Sequence, residues 1–170
     1  PVGAATIADH LVRHLDADPR HADEIARLSG GRLGWAIQAV REPELLEQLA
    51  RQVDAIEQAV QSGLEPRLEY AAQLAARFSR DRSDALDELE LWLGWWRDAM
   101  MLGEGTPDLV RNTSRTQALE AVLGGMDRHQ IAEVVRSVQR AMELLERNVN
   151  PRLAIEELML TIPMPQSVTQ

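Results

Sequence analysis

The chain has no cysteine and no lysine. Without thiols there is neither a disulfide nor a thiolate zinc site, a composition that fits a cytoplasmic setting. Without lysine there is no Gly-Lys-Ser/Thr phosphate loop, no Schiff base and no lysine general base. All 18 basic residues are therefore arginine, set against 27 acidic ones, for a formal net charge of −9. Proteins that hold nucleic acid draw much of their affinity from neutralising phosphates with a basic face, so direct DNA binding is not expected. Aromatics are scarce: one Phe, one Tyr and four Trp. No run of 18 apolar residues exists, and no basic-then-apolar leader opens the chain, so no membrane partner is expected. The first residue is Pro1 and not methionine, which suggests a processed chain or a part of a longer one.

What remains is rich in Ala, Leu, Glu, Gln and Arg, which are strong helix formers, and Val, Ile and Thr never alternate with polar residues over a strand length. The expected class is all-α. Ile7, Leu11, Val12 and Leu15 predict a first helix over 6–16. Asp18-Pro19 starts a second, which ends at Ser29-Gly30-Gly31, where glycine permits a sharp reversal. Leu33, Ala36, Ile37 and Val40 stripe a third. The residue before a proline avoids the helical region, so Glu42-Pro43 is the expected boundary.

Beyond it, Leu46, Leu49, Val53, Ile56 and Val60 form a short heptad seam that Ser62-Gly63 ends. A helix over 65–78 is expected to turn Leu68, Ala71, Ala75 and Phe78 inward, and Ser83 to cap the next, which reaches about Leu102. Residues 103–107 read as a loop. Asn112-Thr113-Ser114 is expected to cap a helix ending at Gly124-Gly125, Asp127 with Gln130 forms a capping box, and Asn150-Pro151 starts a last helix that stops at Ile162-Pro163.

Few residues suggest chemistry. His10 and His14 stand at i and i+4, where two imidazoles can share a metal, and a helical metal-dependent enzyme using them is one reading of the chain. A zinc site needs three or four ligands, so two polar-face histidines is the simpler reading, and no metal or other cofactor is expected. The carboxylates of 87–90 and 156–157 lie on solvated helical faces, and no Gly-x-Ser-x-Gly elbow is present, so no catalytic residue is assigned. Trp92, Trp95 and Trp96, followed by Arg97, make one helix apolar around most of its circumference. That pattern suits a buried central helix. It equally suits an indole edge presented to a partner, since aromatics and arginine are enriched at interface cores.

Two strings, Leu28 to Ile37 and Asn148 to Leu158, in this order with the tryptophan-rich helix between them, resemble the C-terminal part of a bacterial DNA polymerase III clamp-loader subunit of the delta-prime type. In AAA+ ATPases the third lid helix opens with Gly-x-x-Arg-x-Ala, whose arginine, called sensor 2, reaches the γ-phosphate. Here the string is Gly31-Arg32-Leu33-Gly34-Trp35-Ala36, and Gly34 stands where the arginine would. Arg32 is displaced by two positions, roughly 200° around a helix. Loss of that arginine resembles the non-hydrolysing delta-prime subunit more than the gamma/tau ATPase subunit, whose corresponding region with a degenerate sensor 2 is the alternative.

The resemblance implies a small three-helix AAA+ lid domain over 1–41, a helical-bundle collar, the oligomerisation domain, over 42–165, and a flexible tail over 166–170. It implies a non-enzymatic assembly module with no nucleotide site of its own. Its partners would be sister subunits, gamma/tau and delta, met through the collar. The sliding clamp and primed DNA would be met only through the whole complex, whose holoenzyme carries the DNA polymerase activity. Interface candidates are Trp92, Trp95, Trp96, Arg97, Asn148, Asn150 and Arg152.

Overall fold

The computed structural model describes residues 2–164. The tail expected over 166–170 lies outside them. Every regular element among the described residues is helical, and none of the helices is long and apolar enough to cross a membrane. Among the described residues nine α-helices follow one another: α1 (Ala4–Leu15), α2 (Pro19–Leu28), α3 (Leu33–Arg41), α4 (Pro43–Gln61), α5 (Leu64–Phe78), α6 (Arg82–Gly103), α7 (Thr116–Gly125), α8 (Arg128–Glu146) and α9 (Pro151–Thr161). Two single 3-10 turns, Pro107–Leu109 and Thr113–Arg115, bridge α6 to α7.

Local chemistry sets most boundaries. The Asp18 carboxylate accepts the backbone N–H groups of Arg20 and His21, and Pro19 takes the first helical position, where its missing donor costs nothing. Asp127 and Gln130 close a reciprocal capping box at the start of α8. Asn150 caps α9 through the Arg152 N–H. One expected cap is displaced. Asp81, and not Ser83, accepts the Asp84 N–H, and α6 starts one residue before Ser83, which lies within its first turn. Likewise, the stretch expected to cap α7 forms a 3-10 turn instead, and α7 begins at Thr116 with no side-chain cap.

The chain divides into two compact units, Pro1–Arg51 with Arg111–Ser114, and Gln52–Val110 with Arg115–Gln170. Glu42-Pro43 does end α3 and begin α4, but the units part inside α4, after Arg51. In the smaller unit α1, α2 and α3 pack pairwise around Ile7, Leu11, Ala22, Ile25, Ala26, Ala36 and Ala39. Leu33, Trp35 and Leu46 cover that core from its edge. In the larger unit α5 packs on α9 and α6, α8 packs on α6 and α9, and α7 lies along α6. Its core holds three tryptophans together with leucine, isoleucine and valine side chains.

The inward face of α5 differs from the one expected. Leu68 and Phe78 are half-buried, and the buried line is Arg67, Ala71, Leu74 and Ala75. A guanidinium thus takes a core position, at i−4 and i−7 from Ala71 and Leu74. Burial alone would be costly, and it pushes the Arg67 pKa down from its ordinary value. Carbonyls compensate. Arg67 donates from Nε to Ala59 O at 3.0 Å, from Nη1 to Ile162 O at 2.5 Å, and from Nη2 to Val60 O at 2.7 Å and Pro163 O at 2.9 Å. One side chain therefore gathers carbonyls at the end of α4 and just past the end of α9, where helical donors run out.

Candidate functional site

The turn between α2 and α3 is built by its glycines. Gly30 and Gly31 adopt φ of 59° and 90°, the left-handed region that favours glycine. At Gly30 a Cβ would also stand 2.8 Å from Nη1 of Arg111, whose guanidinium lies against this backbone. Ser29 is fully buried, and its hydroxyl donates to Ala26 O at 2.7 Å while accepting the Gly31 N–H at 3.3 Å. The turn delivers Arg32 as the N-cap residue of α3 and Gly34 as its second residue.

Gly34 has neither a positive φ nor a crowded Cβ position: nothing stands within 4 Å of where a side chain would begin. Neither backbone geometry nor packing demands glycine here. The site has room for a side chain and carries none. Arg32 does not fill that room, because it folds back on its own turn, its Nε donating to Ser29 O at 3.0 Å and its guanidinium 5.9 Å from the Trp35 ring centre. Ala36, the last residue of the motif, is fully buried against α1 and α2.

The tryptophan-rich helix is a core element. Trp92, Trp95 and Trp96 are 0, 1 and 0% exposed, so none of the three indoles presents an edge to solvent in this chain. Their large buried area is used within the unit. Around Trp92 lies a polar network that the sequence pattern did not reveal. The Trp92 indole N–H donates to the Tyr70 hydroxyl at 2.8 Å, and that hydroxyl donates to Glu88 Oε1 in a short hydrogen bond. Arg77 clamps the same carboxylate from the other side, Nη2 to Oε1 at 2.8 Å and Nη1 to Oε2 at 2.6 Å, the second contact being an ion pair without good hydrogen-bond angles. The hydrogen bond to Glu88 raises the Arg77 pKa. Burial, and next the Glu88 charge, raise that of Tyr70. With its lone pair and its proton both engaged, Tyr70 is a structural hydroxyl and not a free acid.

Arg97 is half-exposed, its Nη1 3.5 Å from both the buried Asp98 carboxylate and the Leu109 carbonyl. Asn148 sits at φ 57°, a left-handed conformation that asparagine tolerates, and accepts from Arg82 Nη1 at 3.0 Å. Arg82 Nη2 reaches Leu145 O, so the pair ties the end of α8 to the start of α6. Asn150 is the α9 cap, and Arg152 makes an exposed ion pair with Glu156 at 2.7 Å. Asn148 and Asn150 thus have local structural work.

The residues of this region most open to a partner are two that sequence reasoning did not single out. Leu153 and Leu160 are 61 and 63% exposed. They stand seven residues apart, on one face of α9. Met164, just past its end, is exposed as well. The only signal for them was an α9 sequence apolar on more sides than one buried face requires.

His10 and His14 do meet, with ring centres 4.5 Å apart, but no group of three or more potential metal ligands exists among the described residues. Comparison with known proteins adds nothing to these placements: no family model, no curated protein and no solved structure matches the chain.

Proposed function

We propose that this chain is a non-catalytic assembly module, the lid and collar of a clamp-loader subunit of the delta-prime type. On this reading its larger unit joins sister subunits, gamma/tau and delta, in the ring that places the sliding clamp on primed DNA. Gly34 carries the proposal. A position at the start of α3 with open space and no steric need for glycine is what a lid would show after losing its phosphate-reading arginine, and Arg32 folds away from replacing it. The exposed leucines of α9 support the assembly role, since large apolar side chains left in water gain most by being covered. The buried tryptophans move to a supporting part: they hold α6 as a rigid centre against which α8 and α7 pack.

The test is light scattering after size exclusion, with the chain alone and mixed with the collar region of the sister ATPase subunit from the same source. A complex of defined stoichiometry, abolished by Leu153→Asp with Leu160→Asp while helicity is retained, is the expected result. Failure to form any complex, or a complex indifferent to both substitutions, would overturn the assignment of this face.

A further inference from the structure

Among the described residues, four of the seven large apolar side chains left exposed fall within the stretch 149–164. Single exposed leucines are ordinary, but a concentration of them marks a contact surface. Leu153 and Leu160 face away from Ala154, Ile155, Leu158 and Met159, the side of α9 that packs on α5 and α8. Val149 and Met164 stand just outside the two ends of the helix. The two pairs share one midpoint, between Glu156 and Glu157, so each apolar residue has a counterpart at the same separation on the other side. Charge singles out the same stretch. Arg147, Arg152, Glu156 and Glu157 are the charged residues from 147 to 164, so this stretch is neutral while the whole chain carries −9. Both midpoint carboxylates already hold an arginine: Arg152 Nε reaches Glu156 at 2.7 Å, and Arg140 Nε of α8 lies 3.6 Å from Glu157.

We propose that this face pairs with the same face of a second copy of the chain, the two α9 helices running antiparallel about a two-fold axis through the midpoint. A two-fold contact needs a surface complementary to itself, on which residue i meets j and j meets i. The spacing supplies this. Leu153 meets Leu160 of the second copy, Leu160 meets its Leu153, and Val149 and Met164 close the two ends in the same way. Two acidic chains repel each other over most of their surface and least where that surface is neutral. With Glu156 and Glu157 each matched by an arginine, no unpaired charge is brought to the centre, and a strongly basic partner finds no counter-charge there. The contact is small. One helix of 11 residues offers less than the roughly 800 Å² per partner of a standard interface, so the dimer is weak and reversible, with a Kd of about 10–100 μM. The pairing covers the leucines that the assembly role would use, yet it does not rest on that role, because it needs no sister subunit. A sister subunit binding there would displace the second copy.

Sedimentation equilibrium of the whole chain alone, from about 1 to 500 μM, tests the proposal. A monomer–dimer equilibrium is expected, weakened by about tenfold or more in Leu153→Asp with Leu160→Asp. Leu153→Gln with Leu160→Gln replaces that variant if circular dichroism shows it misfolded. The orientation is read by cross-linking. The chain has no cysteine, so an introduced thiol reports on this contact alone. When Leu153→Cys and Leu160→Cys variants are mixed and oxidised, the disulfide between unlike variants should form about tenfold faster than either like pair. In the antiparallel pair, like positions are offset by roughly 10 Å along the helix, beyond the reach of a disulfide. A monomer at every concentration, or a dimer indifferent to the paired substitutions, overturns the self-contact, whatever a sister subunit does. Like pairs that cross-link as fast as unlike ones overturn the antiparallel geometry. A dimer that forms as expected while no sister complex does supports this pairing and counts against the ring assignment alone.

Discussion

The two units solve the same problem with different materials. The smaller one is closed by Ile7, Leu11, Ile25 and four alanines, and its one buried polar side chain, Ser29, is a hydroxyl serving its own turn. The larger one buries three tryptophans and also the side chains of Arg67, Glu88 and Asp98. An aliphatic core of small residues lets short helices approach closely but specifies little beyond shape. A buried charge accepts few arrangements, because any packing that leaves it unpaired is heavily penalised. The larger unit therefore admits fewer alternative packings than the smaller one.

The sharpest way to break this contrast is at Arg67. Arg67→Met removes a donor from four carbonyls, of which Ala59 O keeps the Ser62 N–H, and should cost about 3–5 kcal/mol, read as a shift of the urea midpoint. A cost below about 1 kcal/mol would mean that the guanidinium is incidental to the larger unit. In the smaller unit the corresponding damage must come from a cavity. Ile25→Ala should cost about 2–4 kcal/mol, and in hydrogen exchange α1 to α3 should lose more protection than α5, α6, α8 and α9.

The polar network offers a test by pH. Tyr70 is the chain's one tyrosine, so phenolate absorbance reports on it alone. Its folded pKa lies above the unfolded value of about 10, so above that pH the folded chain holds a proton that the unfolded chain releases. Stability from this group is then complete below pH 10 and falls by about 1.4 kcal/mol per unit as pH rises further. A phenol titrating near 10 in the folded chain would contradict the network. The smallest effect belongs to Gly34. Gly34→Ala should raise stability by up to about 1 kcal/mol, since nothing occupies the space and alanine is the better helix former. A loss there would mean that the glycine serves the fold.

Helix identity and most helix ends are legible in the sequence because caps are local: Asp18-Pro19, Asp127 with Gln130, and Asn150-Pro151 each need only three or four residues to act. The glycine turn and the place of Gly34 are legible for the same reason. What is not legible depends on tertiary partners. Arg67 looks like a solvated arginine until the ends of α4 and α9 bring carbonyls around it. Trp95 looks equally fit for core or interface until its helix is surrounded. Leu153 and Leu160 differ from Ala154 and Leu158 only in which way α9 is turned, and periodicity cannot choose between two apolar faces. Ser83 lost its cap to Asp81, two residues earlier, a choice made by how the turn after α5 closes.

Tyr70 and Trp92 also give the protein an optical signature. Their ring centres lie 5.7 Å apart, near edge-on. At that separation light absorbed by the phenol is handed to the indole, so the folded chain emits as tryptophan alone. Tyrosine emission appears only when α5 and α6 come apart. Excitation at two wavelengths can thus follow the opening of the larger unit without any attached dye.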